Sequence, residues 1–290
     1  MKFGANTFIW AESFGPEQFP LLPRIKAAGL DGIEVPIIDP AALQPAAIRR
    51  ELEKHGLAAT VCSVLPRGLS LIVSDAETRR KTVRHLQDCI RAAAEMGAGL
   101  IAGPLYSPVG HFTGRRPTAE EWKMAVESWR ELGPALAAAN MRIAIEPLNR
   151  FETYFLNTTA DAARLCDEIG DPRVGILFDT FHANIEEKSV GPAMRAAGRH
   201  LKHIHTCEND RGIPGTGNVN WPEFFQTVRA MGYDGWMTIE SFGFSLGELA
   251  AAASIWRDLA STPEAIAFEG VKFLRANTAG SAGLQPAVSA

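Results

Sequence analysis

Four short runs in the second half of the chain decide how it is read: RIAIEPL (142–148), VGILFDTF (174–181), LKHIHTC (201–207) and GWMTIESF (235–242). Each is β-rich and apolar until it reaches a polar side chain near its end. Toward the N-terminus the same unit recurs in KFGANTF (2–8), GIEVPI (32–37), AATVCSVL (58–65) and LIAGPLY (100–106), with longer helical patterns between the runs. Eight strands alternating with helices predict a parallel sheet, because parallel neighbours need a crossover connection. Spread over 290 residues, eight units take about 36 residues each, close to what a (β/α)8 TIM barrel uses. An open doubly wound sheet also alternates in this way. Against it, no G-x-G-x-x-G follows the first run and no Pro/Gly/Ser-rich linker divides the chain. The expectation is a single α/β domain, a (β/α)8 barrel over residues 1–276, with a loose tail of small residues over 277–290.

Helix signals support the alternation. Between Asp75 and Gly97, Val83, Leu86, Ile90, Ala93 and Ala94 recur at three- and four-residue steps, the mark of an amphipathic helix. Asp75 is placed to cap its start and Gly97 to end it. Thr118 and Glu121 form a capping box ahead of a helix ending near Asn140. Trp122, Trp129 and Trp256 fall on expected outer helices, as interface anchors or as packing against the barrel.

Composition narrows the function classes. The chain is 46% hydrophobic and 21% charged, with 29 Lys plus Arg against 33 Asp plus Glu, a net charge of −4. That leaves no basic excess for a phosphate backbone, so no nucleic-acid partner is expected. No apolar run approaches the ~18 residues of a membrane span. The first ten residues read as a first strand rather than a signal peptide. The four cysteines (Cys62, Cys89, Cys166, Cys207) are widely spaced and read as reduced thiols of a cytoplasmic protein.

The chemistry is concentrated at the ends of the last four runs, at Glu146, Asp179, His205 and Glu240. Alternation puts Ala144 on the face of Glu146, Leu177 with Asp179, His203 with His205, and Thr238 with Glu240. In a barrel that face can be the interior, and the strand C-termini are then the mouth, where barrel enzymes place their active sites. Taken singly, each of these residues reads as a cap, an ion-pair partner or a hydrogen-bonded core group. Four on consecutive strands, at the same end, read as a ligand set. Three carboxylates aimed into one apolar space repel each other, and a divalent cation relieves that repulsion. The oxygen-rich donor set suits Mn²⁺, Co²⁺ or Mg²⁺. A zinc site using His205 and Cys207 would leave the carboxylates unexplained. Nearby, Glu152, His182 and Arg211 read either as loop charges and caps or as ligand groups. The glycines of GIPGTG (212–217) lack a P-loop pattern, and Cys62 has no evident base partner.

The segments EPLNRFE (146–152), DTFH (179–182), HIHTCENDRGIPGTG (203–217) and IESF (239–242) resemble the ketose 3-epimerases, the D-tagatose, D-allulose and L-ribulose 3-epimerase family of the xylose-isomerase-like barrels. The resemblance runs over most of the chain. It implies a metal, Mn²⁺ or Co²⁺, on Glu146, Asp179, His205 and Glu240, with Glu146 and Glu240 as the acid/base pair. It further implies Glu152, His182 and Arg211 on the O1–O3 end of a ketose, Cys62 and Gly103 near the substrate, and a homodimer or homotetramer. One departure stands in the first run: many members carry an aromatic where this chain has Asn6, and Phe8 and Trp10 lie nearby.

The implied reaction is inversion of a ketose at C3. Strands five and eight lie three of eight steps apart, so Glu146 and Glu240 flank a ligand from nearly opposite sides. One removes the C3 proton and the other returns a proton to the opposite face, through a metal-stabilised enediolate and with no organic cofactor. The alternatives are an aldose–ketose isomerase of the hydroxypyruvate-isomerase type, a metal-dependent endonuclease acting on abasic DNA, and a non-catalytic sugar-binding protein. The seven histidines and mildly acidic chain disfavour the nuclease.

Overall fold

The computed structural model describes residues 1–243 and 247–278. Its strands are β1 (Lys2–Asn6), β2 (Gly32–Pro36), β3 (Ala58–Cys62), β4 (Leu100–Gly103), β5 (Arg142–Ile145), β6 (Val174–Asp179), β7 (Leu201–His205) and β8 (Trp236–Ile239). Each pairs in parallel with the next, and β8 pairs with β1, closing an eight-stranded barrel. The connections hold helices α1 (Leu22–Ala27), α2 (Pro45–His55), α3 (Ala76–Met96), α4 (Ala119–Ala138), α5 (Thr159–Ile169), α6 (Thr180–Glu186), α7 (Val190–Ala197), α8 (Trp221–Ala230), α9 (Gly247–Ala252) and α10 (Pro263–Thr278). The expected barrel is therefore the observed fold, with two helices rather than one after β6 and after β8. Among the described residues no helix is long and apolar enough to cross a membrane.

Alternation sorts the strands into two faces. Outward residues such as Ile33, Val35, Val61, Ile143, Ile145, Ile176, Ile204 and Ile239 join one large apolar core between barrel and helices. The inward set is different. Leu100, Ala102, Ala144 and Leu177 form a small separate cluster, and buried Asn6, Glu34, Thr60, His203 and Thr238 lie on the inward positions of the other strands. Small apolar residues on one half of the lumen leave room for hydrogen-bonded polar groups on the other. At the N-terminal end the lumen is crowded by Trp236: a Cβ on Gly32 would lie 2.7 Å from its ring and 2.2 Å from the Ala58 carbonyl oxygen. Glycine is the residue that fits there.

Local signals held within a residue or two. Asp75 caps α3 by accepting from Thr78 N at 2.8 Å, and Gly97 ends it in the left-handed conformation, φ 84°. α4 opens with the Thr118/Glu121 capping box and closes at Ala138. The outer-helix reading holds for Trp122 and Trp129, both on α4, and needs correction for Trp256. Trp129 is wholly buried, whereas Trp122 packs half-buried against Phe155 and the Arg164 guanidinium. Trp256 is 78% exposed but lies in the loop after α9, because that helix stops at Ala252. Asn277 and Thr278, expected in the tail, complete α10; the rest of the expected tail lies outside the described residues.

The loops above β4 and β5, which frame half the mouth, are laced together at Glu121. Its carboxylate accepts from both Arg115 Nη atoms (2.9 and 2.8 Å), from Thr118 N (2.8 Å) and from the Tyr154 hydroxyl (2.7 Å). Burial alone would raise its pKa, but the Arg115, Thr118 and Tyr154 hydrogen bonds outweigh it and push it down to about 2. A depressed carboxylate stabilises the fold above its unfolded pKa and loses that contribution as pH falls through its folded one. Glu121→Gln is therefore expected to cost about 1 kcal/mol at pH 7, the usual scale of a lost cap. In urea unfolding the gap to the parent protein should close as pH drops from 4.5 toward 2.

Candidate active site

At the C-terminal ends of β5 to β8 the side chains of Glu146, Asp179, His205 and Glu240 converge, each offering one donor atom within 4.8 Å of the others. All four are buried. Asp179 and His205 are the last residues of their strands and pair with each other in register. Glu146 and Glu240 stand one residue past β5 and β8, where alternation turns them inward over Ala144 and Thr238. The other predicted residues are nearby: Cys62, Gly103, Glu152, His182 and Arg211 line the same cleft as Glu146, His205 and Glu240, with Asp179 just beneath. The cleft's remaining wall is apolar, including Phe8, Ile38, Val64, Leu148, Phe242 and Leu249.

The electrostatics follow from crowding. Burial and the neighbouring Glu240 and Asp179 charges raise the Glu146 pKa well above the usual carboxylate range. Burial would also raise Asp179, but the Arg211 guanidinium and the nearby His205 imidazole hold it low. His205 Nδ1 lies 3.3 Å from Glu240 Oε1 and 3.7 Å from Asp179 Oδ2. Burial would lower this imidazole, and the Glu240 and Glu34 charges raise it instead.

Arg211 is the counter-charge supplied by the protein. Its Nη1 donates to Asp179 Oδ2 (3.1 Å) and to Glu240 Oε2, and its guanidinium lies 4.0 Å from the centre of the Phe181 ring. The loop after β7 delivers it in a left-handed conformation, φ 68°, unusual for a side chain other than Gly, Asn or Asp. Glu208 and Ser241 hold that loop. The Glu208 side chain accepts from the backbone of Asn209, Gly215 and Val219 and from Trp221 Nε1, while Ser241 Oγ donates to the Arg211 carbonyl at 2.6 Å.

His182 is fixed by Asn149, whose backbone N–H donates to Nδ1 at 3.0 Å. Its Nε2 meets a second donor, Arg211 Nη2 (3.2 Å), and lies 3.6 Å from Glu146 Oε1. Burial lowers its pKa, so the ring is neutral. Asn149 Nδ2 also donates to Glu152 Oε1 at 2.8 Å. Gly103 has a backbone reason for being glycine: φ is 136° and a Cβ would stand 2.1 Å from the Ser63 carbonyl oxygen. Asn6 points into the lumen and donates to Cys62 Sγ and Glu34, leaving the cleft wall to Phe8. Burial raises the Cys62 thiol well above its ordinary pKa, consistent with an unreactive thiol.

Two atoms test whether a cation suits these residues. Glu146 Oε1 and His205 Nδ1 are buried with no hydrogen-bond partner, and both belong to the converging set. Buried polar atoms are nearly always satisfied, so a cluster of unfilled acceptors fits a positive ligand. Three carboxylate oxygens and one imidazole nitrogen match the preferences of Mn²⁺, Co²⁺ or Mg²⁺.

Sequence reasoning overlooked what lies beneath. Glu34, on β2, is fully buried and accepts from His203 Nε2 (2.8 Å), His205 Nε2 (2.7 Å), Thr60 Oγ1 (2.9 Å) and Asn6 Nδ2 (3.3 Å). The available signal was a lone carboxylate in the middle of an apolar strand, on the face of Gly32 and Pro36. Asn149, Glu208 and Ser241 were also missed; they act through neighbours that only the folded loops bring together.

The xylose isomerase-like TIM barrel family model matches residues 22–277. A probable ketose 3-epimerase of Synechocystis sp. is 39% identical over 276 residues, 95% of this chain and 96% of that one. The D-psicose 3-epimerase of Enterocloster bolteae is 31% identical over 269 residues, 89% and 88% of the two chains. The crystal structure of D-allulose 3-epimerase from Methylomonas sp. in complex with D-allulose superposes with a TM-score of 0.90 at 25% identity, covering 96% of this chain and 97% of that one.

Arg211→Met removes the guanidinium and leaves the carboxylates to face one another. In chelator-treated protein at pH 7 it is expected to cost about 3 kcal/mol in urea unfolding, the low end for a broken buried pair. Asp179 owes its low pKa to Arg211, so the deficit should shrink on acidification as the carboxylates become neutral.

Proposed function

The chain belongs to the xylose isomerase-like TIM barrel family, and from that membership and the two facing glutamates we propose that it is a metal-dependent epimerase inverting C3 of free ketoses. The observation that carries this reading is the position of Glu146 and Glu240. They follow strands three steps apart around the barrel and point their carboxylates at one centre. A single base suffices to move a proton between C1 and C2 of one face; inversion at carbon needs a proton removed from one side and supplied from the other.

We assign Glu146, Asp179, His205 and Glu240 as the residues that would hold a divalent cation, Mn²⁺ or Co²⁺ before Mg²⁺. When bound, such a cation supplies Lewis-acid polarisation of the ketose C2 carbonyl and so acidifies the C3–H bond. The protein's own groups do the rest. Glu146, with one oxygen free of hydrogen bonds and a raised pKa, exchanges a proton with C3 on its side. Glu240 exchanges one on the other side. For one epimer Glu146 is the base and Glu240 the acid; for the other the roles reverse. The Arg211 guanidinium donates to the oxygens at the O1–O3 end, His182 contacts the same end, and Glu152, turned by Asn149, accepts from a hydroxyl. The apolar wall from Phe8 to Leu249 excludes water from the reacting carbon. No nicotinamide or other organic cofactor enters.

Incubation with a ketose in D₂O is expected to place deuterium at C3 of the epimeric product. Label at C1 or C2 with an aldose product would reassign the chemistry to aldose–ketose isomerisation, and unlabelled epimer would require a hydride shift. Glu146→Gln and Glu240→Gln should each lower turnover by about 10²–10⁴-fold. Their residual C3 exchange should be confined to one epimer, the opposite one for each variant. Chelation should abolish turnover, and Mn²⁺ should restore it and raise the unfolding midpoint by about 2.7 kcal/mol equivalent at a hundredfold excess over its dissociation constant. Asp179→Asn should lose most of that increment.

A further inference from the structure

We propose that Glu34 is the positioning residue of the metal centre: it fixes the tautomer and ring orientation of His205 so that Nδ1 faces the three carboxylates. The proposal rests on the cation site assigned above and extends it one layer down the barrel. His205 has two ring nitrogens with different surroundings. Nε2 is 2.7 Å from Glu34 Oε1, and Nδ1 has no hydrogen-bond partner while facing Glu240 and Asp179. An ionised carboxylate only accepts hydrogen bonds, so Nε2 carries a proton. The lone pair available to a cation is then on Nδ1, the atom that points at the centre.

The rest of the lumen keeps Glu34 in that role. His203 sits one pleat lower on the same face of β7 and donates Nε2–H to the other oxygen at 2.8 Å; Thr60 and Asn6 add a donor to each oxygen. The carboxylate thus meets four donors, two per oxygen. The two imidazoles stand nearly perpendicular, 76° apart with centroids at 5.1 Å, so His203 also blocks rotation of the His205 ring. Glu34, His203 and His205 could in principle clasp an ion of their own. Oxygen–nitrogen separations of 2.7 and 2.8 Å are instead those of charge-assisted hydrogen bonds, and Glu34 and His203 are sealed from solvent. A proton, not a metal, links them.

Substitution at Glu34 should be graded. A leucine leaves two buried imidazole N–H groups without acceptors and frees His205 to place its proton on Nδ1. A glutamine can keep its carbonyl toward His205 and Asn6, turning its amide toward Thr60 and His203, which must then move its own proton. Removing such a partner typically weakens metal binding by ~10–100-fold. The test is Mn²⁺ affinity by calorimetry on the full chain, with ¹H–¹⁵N correlation of the histidine rings in the Mg²⁺-loaded protein. The expected results are His205 protonated at Nε2 and ligated through Nδ1 in the parent, and Mn²⁺ binding ~10–100-fold weaker in Glu34→Leu with a smaller loss in Glu34→Gln. Val35→Ala, whose side chain faces the outer core of the same strand, should lower stability and leave Mn²⁺ affinity unchanged. The proposal is overturned if folded Glu34→Gln and Glu34→Leu bind Mn²⁺ as tightly as the parent, or if Val35→Ala weakens binding as much as they do. It is equally overturned, with no variant needed, if the parent's His205 is protonated at Nδ1. A parent chain that binds no Mn²⁺ at all would instead remove the metal centre itself.

Discussion

Three nearly buried carboxylates share one small space at the mouth of this barrel, and much of the architecture around them exists to make that arrangement tolerable. Desolvation and mutual repulsion both favour protonation of such groups. Glu146 shows the effect directly, with its pKa driven up. Asp179 escapes it through Arg211 and His205. The guanidinium in turn is held by Asp179 and Glu240, stacked on Phe181, and delivered by a loop in a strained backbone conformation. Arg211 is the one permanently charged cation among three acids, and the open acceptors left on Glu146 and His205 make a cation centre chemically reasonable.

The barrel supplies two properties that an open sheet would not. It brings side chains from β5 and β8 toward one axis from different directions, and it encloses a lumen in which a second polar layer can hide below the first. Ala102 and Ala144 keep one half of that lumen slender. The other half accommodates Glu34, which accepts from Thr60 and from His203 Nε2. Orientation of His205 is therefore set from below by groups that never meet solvent, while access to the site is controlled from above by loops. The capping box of α4 ties two of those loops together and links helix initiation to the shape of the mouth.

The fold and the four converging side chains were legible because both depend on local pattern. Strand runs carry a period of two, and a polar residue at the end of each apolar run marks the rim once a barrel is assumed. Caps such as Asp75 and Thr118 identify helix starts within a residue. The overlooked residues depend on three-dimensional proximity. Glu34 precedes His205 by 171 positions, and nothing in GIEVPI says which strand it will face. Asn149 reaches His182 only because the loop after β5 folds over the first turn of α6. Trp256 was misplaced for a related reason: α9 stops early, at Ala252, and helical pattern alone does not announce where that happens.

Hydrogen-bond saturation separates the buried acids by role more clearly than burial does. Among the described residues five carboxylates are at most 7% exposed: Glu34, Glu146, Asp179, Glu208 and Glu240. Glu34 meets four donors from side chains, and Glu208 meets four from a loop and an indole, three of them backbone N–H groups. An acceptor with every direction filled gains little from a proton or a metal, so these two act as struts. Glu146 has one oxygen with no partner at all, and Asp179 Oδ2 and Glu240 Oε2 share the same Nη1 of Arg211, while Asp179 Oδ1 accepts from Phe181 N. Unfilled or shared acceptors are the ones able to take up a cation or pass a proton. Equal burial with unequal satisfaction thus divides a rigid framework from a centre with open acceptors inside one lumen.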